Sequence, residues 1–137
     1  MKLAFYKGKW DWTDTIIKRW TWWIYSHVEL IFSNWVSFSA SWRDWWVRFK
    51  NINYIDNNWD VINLNISKKK EQLIFHNAQS KTWMKYDWVW ILLSQVLPFN
   101  IQDNNKWFCS EIVWYLIWIK YSAILSPQWL YNKLTNK

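Results

Sequence analysis

The only cysteine of this chain stands in Trp107-Phe108-Cys109-Ser110-Glu111, at the head of an apolar run that reads as a helix. Far upstream, Tyr25-Ser26-His27-Val28-Glu29-Leu30 places a histidine on a segment that reads as a strand. A thiolate, not a thiol, is the nucleophile, and unpaired N–H groups at a helix start favour the thiolate. A neighbouring imidazole can take the proton. Cys109 and His27 are therefore the candidate nucleophile and general base. Strand side chains alternate faces, so His27 and Glu29 share one side of the sheet. A carboxylate there can orient the imidazole and stabilise its protonated form. Ser37 and Ser39 on the next strand are alternatives for that role, and Asp44 lies further along. The N–H of Cys109 itself is a candidate donor to an oxyanion.

Plainer readings exist for each residue. A lone cysteine is often a small buried hydrophobe. Glu111 suits the first turn of a helix through the dipole. His76 lies in a polar helical stretch without a partner motif and reads as surface. One Cys and two His do not make a structural zinc set, and no phosphate-binding glycine loop is present, so neither metal nor cofactor is expected.

These residues need elements to position them. Leu3 to Tyr6 reads as a first strand, and Asp14 to Trp20 as a helix capped by Thr13 or Asp14. His27 to Phe32 and Val36 to Ala40 read as a hairpin, followed by strands at Val47 to Lys50 and Asp60 to Leu64. Lys68 to Ser80 reads as a polar-faced helix. Tyr86 to Leu97 reads as a buried helix stopped by Pro98, and Asn100 to Lys106 as a polar loop. Ser110 to Lys120 carries Ile112, Val113, Leu116 and Ile119 at helical spacing, and Ser126-Pro127 opens a last helix. The expected class is α+β, a small antiparallel sheet packed against helices, in one domain spanning 1–137.

Composition bounds the remaining possibilities. One cysteine excludes an internal disulfide. The N-terminal residues Met1 to Lys7 lack the apolar stretch of a signal peptide, and the longest apolar run, Trp88 to Leu97, is too short to span a bilayer. The expected location is cytoplasmic or virion-associated. The net charge of +7 suits an anionic partner, but solvated lysines such as Lys68-Lys69-Lys70 account for it, and no nucleic acid is expected.

The tryptophans are anomalous. The chain has 17 Trp and one Gly, Gly8, where about ten glycines would be usual at this length. Several tryptophans stand where glycine belongs. Asn34-Trp35 occupies a hairpin turn in which Asn-Gly would take φ > 0 at both residues. Trp22-Trp23, Trp45-Trp46, Trp59 after Asn57-Asn58, and Trp83 after Lys81-Thr82 repeat the pattern. A UGA codon read as glycine in one genetic code and tryptophan in another would produce it. The competing explanation is a genuinely Trp-rich module that stacks on sugars or enters membrane interfaces.

The histidine and cysteine segments, in that order, resemble the circularly permuted NlpC-type hydrolases, papain-like enzymes that include the YiiX/YaeF-like amidase group and phage-encoded relatives. Phe5-Tyr6-Lys7-Gly8-Lys9, Met84-Lys85-Tyr86-Asp87-Trp88 and Leu125-Ser126-Pro127-Gln128-Trp129-Leu130 extend the resemblance over nearly the whole chain. The resemblance implies a permuted papain-like domain in which Cys109 attacks a carbonyl and His27 is the base. Its third residue, often glutamate, lies on the strand after the histidine, where this chain offers Ser37 and Ser39. Glu29 is the carboxylate that takes its place here. The implied activity is that of a cysteine peptidase or amidase, cleaving a peptide, cell-wall peptide or isopeptide amide, or an acyl ester. A non-catalytic binding domain on the same fold is the alternative.

Overall fold

The computed structural model describes residues 1–8, 24–41, 43–86, 106–118 and 126–135. The expected helix at Asp14 to Trp20, Trp22-Trp23, and positions 87–105, 119–125 and 136–137 lie outside these residues.

Five five-residue strands make up most of a seven-stranded sheet: β1 Lys2–Tyr6, β2 His27–Ile31, β3 Ser37–Ser41, β4 Trp46–Lys50 and β5 Trp59–Asn63. All four ladders among them are antiparallel. Helix α1 spans Lys68–Lys81, capped by Ser67, whose side chain accepts from the Lys70 N–H. Two short strands follow, β6 Lys85–Tyr86 and β7 Lys106–Trp107, then α2 Cys109–Trp118 and α3 Pro127–Thr135. The sheet order is β5-β1-β2-β3-β4-β6-β7, and the last pair is parallel. The chain is α+β, as its sequence predicts.

The edge corrects the expected pattern at two residues. Tyr86 belongs to β6 rather than to a helix, and Lys106 to β7 rather than to a loop. Two-residue strands lack the alternation that makes a longer strand legible. Their pairing is set by β4, to which β6 joins at Trp46↔Lys85.

Alternation along the strands divides the sheet into two faces. Leu3, Phe5, Val28, Leu30, Phe38 and Val47 join a core with residues of the three helices, including Ile74, Ile112, Leu116 and Leu130. Each such side chain, fully buried, contributes about 1.5–3 kcal/mol. On the other face, Ala4, Tyr6, Ile31 and Trp59 form a smaller cluster with Ile52 and Tyr54. Helix α2 packs against β2 and β3, so its first residue is delivered to the beginning of β2. Among the described residues no helix is long and apolar enough to cross a membrane.

Three non-glycine residues among those described have positive φ, and all three are tryptophan: Trp35 (64°), Trp45 (64°) and Trp83 (72°). Each side chain is largely solvent-exposed, at 64 %, 58 % and 72 %. The β2–β3 turn is a three-residue loop, not the expected two-residue one. Phe32 donates its N–H to Val36 O and accepts from the Trp35 N–H, both at 3.0 Å. Only Trp35 there is left-handed, as in the hairpin loop that ends in a glycine bulge. At Trp83, Thr82 has φ −59° and ψ 141°, and the Met84 N–H bonds Lys81 O at 3.3 Å. That is a type II turn, whose third position requires φ > 0. Trp46 and Trp59 depart from the expected pattern. Trp46 is an exposed strand residue without positive φ. Trp59 is a buried strand residue, paired with Tyr6 and packed against the Tyr6 and Tyr54 rings at 4.9 and 5.0 Å.

Candidate active site

His27 opens β2, and two residues on, Glu29 points to the same side. The His27 Nε2 and Glu29 Oε1 atoms are 2.8 Å apart. A strand places i and i+2 side by side without fixing a hydrogen bond between them, and here burial closes the gap. Glu29 is fully buried, and a carboxylate removed from water must find partners. The Cys109 side chain also acts on the imidazole, through its charge and hydrogen bonding.

Burial lowers the His27 pKa, but the Cys109 charge and hydrogen bond, followed by those of Glu29, outweigh it and raise the pKa to about 9. The arrangement therefore favours the imidazolium form of His27. Glu29 responds in the opposite sense. Burial raises its pKa, whereas the His27 hydrogen bond and the Arg48 charge bring it below the ordinary carboxylate value. Cys109 is the first residue of α2, and the first N–H groups of a helix have no intrahelical acceptor. Its own N–H is among these.

The alternatives for the orienting role are occupied elsewhere. The Ser37 hydroxyl shares a 2.6 Å hydrogen bond with Tyr54, and the Ser39 hydroxyl donates to Val28 O at 2.7 Å. Asp44 accepts from Arg48 Nε at 2.7 Å and Lys50 Nζ at 3.0 Å. Glu111 is buried in the first turn of α2, and His76 is exposed on α1. Among the described residues no group of three His, Cys, Asp or Glu is placed to hold a metal ion. Trp45 and Trp46 are exposed, as an aromatic binding surface requires.

Sequence reasoning missed Arg48. Its Nη1 donates to Glu29 Oε2 at 2.9 Å and its Nη2 to Glu29 Oε1 at 2.8 Å. A signal existed. A carboxylate on an inward-facing strand position needs a counter-charge, and alternation in Val47-Arg48-Phe49 turns Arg48 away from the apolar face.

No protein-family model matches the chain, and neither a curated protein nor a solved structure is significantly similar to it.

Proposed function

We propose that the protein is a thiol hydrolase that cleaves an amide or ester through an acyl-enzyme on Cys109. The observation that carries this reading is the position of His27, between the Cys109 sulfur and the buried Glu29 carboxylate. The Cys109 thiolate attacks the carbonyl carbon, forming a C–S bond while the carbonyl oxygen becomes an oxyanion beside the helix start. His27 gives its proton to the leaving amine or alcohol as that bond breaks, and a thioester remains. Water then attacks the thioester as His27 takes a proton from it. The C–S bond breaks, the acid leaves, and Cys109 returns as a thiolate beside the His27 imidazolium. Glu29 holds the ring and compensates the imidazolium charge in each half of the cycle. The fold class and the order of the two motifs agree with a permuted papain-like enzyme of the NlpC type, whose substrates would be peptide or cell-wall amides or acyl esters.

The burial of Cys109, at 4 % exposure, favours a second reading, a binding domain in which the thiol is structural. An activated p-nitrophenyl ester separates the two. The hydrolase should release nitrophenol in a burst and carry the acyl group on Cys109, detectable by mass spectrometry. His27→Ala should slow acylation by about 10²–10⁴-fold. A Cys109 that stays unacylated, with alkylation by iodoacetamide indifferent to His27→Ala, would sink the hydrolase reading.

A further inference from the structure

We infer that Arg48, anchored by Asp44, is a positioning residue that sets the orientation of Glu29 and, through it, of His27. The inference rests on the hydrolase reading. Glu29 Oε1 accepts from both His27 Nε2 and Arg48 Nη2, and Oε2 accepts from Nη1. The guanidinium fork thus fixes both carboxylate oxygens and leaves one of them directed at the ring. The third nitrogen of the fork, Nε, is held by Asp44 Oδ2, and Asp44 Oδ1 in turn accepts from Lys50. Charges alternate along the row: Lys50, Asp44, Arg48, Glu29, His27, Cys109. From Lys50 to His27, each member favours the charged form of the next.

Strand register makes this reach possible. Arg48 stands opposite Ser39 on β3, and continuing the β2–β3 register one step places Glu29 opposite Ser39 on the other side. Glu29, Ser39 and Arg48 therefore form one row across three strands. The short Ser39 side chain turns to the Val28 carbonyl, and Arg48 passes it to reach Glu29. A long side chain at position 39 would block that path.

Arg48→Lys tests the inference, because it keeps the positive charge and removes the fork. The readouts are the His27 titration midpoint by NMR and the pH profile of Cys109 alkylation. In folded Arg48→Lys the His27 midpoint should fall from about 9 towards the ordinary 6.5, with slower alkylation at neutral pH. Asp44→Asn, which removes only the anchor, should produce a smaller shift in the same direction. It carries the test alone if Arg48→Lys does not fold. Unchanged midpoints in the folded variants would overturn the inference, since a charge-only or structural role survives the lysine. Failure of the hydrolase reading shows separately, as Cys109 alkylation that ignores His27→Ala.

A second inference comes from the backbone alone. We propose that the gene product in its own host carries glycine at positions 35, 45 and 83. These three tryptophans hold left-handed conformations in which a Cβ is unfavourable, and they are exposed, so little packing compensates. The exception is a Lys2 Nζ contact 4.6 Å from the Trp35 ring centroid. Codon identity gives the first test and peptide mass spectrometry of the natural protein the second. UGA codons with glycine in the peptides are the expected result. UGG codons, or tryptophan in those peptides, would overturn it.

Discussion

His27 illustrates how a side chain acquires its properties from neighbours rather than from its own type. Burial alone would make it a neutral imidazole, yet the sulfur and the carboxylate on either side reverse that preference. Glu29→Gln keeps the size of the side chain and removes its charge. In this variant the His27 midpoint should drop from about 9, and NMR titration of the ring protons measures it directly. The same substitution leaves the Arg48 guanidinium without its buried counter-ion, and removing one partner of a buried pair costs about 3–5 kcal/mol. Urea unfolding of Glu29→Gln should show a loss of that order. A loss well under 1 kcal/mol would mean that water replaces the carboxylate. The sequence exposes Cys109, His27 and Glu29 as candidates through residue type, order and i, i+2 spacing. Arg48 stays hidden because its partner lies two strands and 19 positions away.

At the scale of elements, the turns and the helix start carry the argument. Trp35, Trp45 and Trp83 each hold a conformation that costs about 1–3 kcal/mol in a non-glycine residue. Glycine removes that strain and gives back about 0.5–1 kcal/mol through the greater entropy of the unfolded chain. Trp35→Gly, Trp45→Gly and Trp83→Gly should therefore each stabilise the protein or leave it unchanged. Trp59→Gly is the contrasting case. It removes a buried ring packed against Tyr6 and Tyr54 and should cost about 3–5 kcal/mol. Thermal unfolding of the four variants checks both halves, and a strong loss at the three turn positions would refute the strain argument. The five long strands and the three described helices were legible to within a few residues, because hydrophobic alternation, a serine cap and a first-turn proline are local signals. The β6–β7 pair was not, because two-residue strands exist only by virtue of the edge they extend.

For the whole molecule, the charge row links the site to global stability through pH. The His27 pKa lies above its ordinary 6.5, so its contribution is complete below about 6.5 and is lost as pH rises through about 9. Burial raises the pKa of Asp44, but the Arg48 and Lys50 contacts overcome this and lower it from 3.8 to about 2. Its contribution is complete above 3.8 and is lost as pH falls through about 2. Glu29 also lies below its ordinary 4.5 and acts in the same direction. Unfolding free energies measured across pH should thus decline on both sides of a plateau at about 4.5–6.5, and His27→Ala should flatten the alkaline side, with a smaller change on the acid side where Glu29 loses its His27 hydrogen bond. An alkaline decline of the same size in that variant would place its cause elsewhere. The sequence by itself determined the α+β class, most strand and helix segments, a strand histidine and a helix-start cysteine as candidates, and the turns at Trp35, Trp45 and Trp83 that call for glycine. All of these depend on side-chain type and short-range periodicity. Only the tertiary structure decided that Glu29 rather than Ser37 or Ser39 meets the imidazole, and that Arg48 reaches across β3 to hold it. Those contacts depend on strand order and register, which bring distant residues together through the burial of one face of a shared sheet.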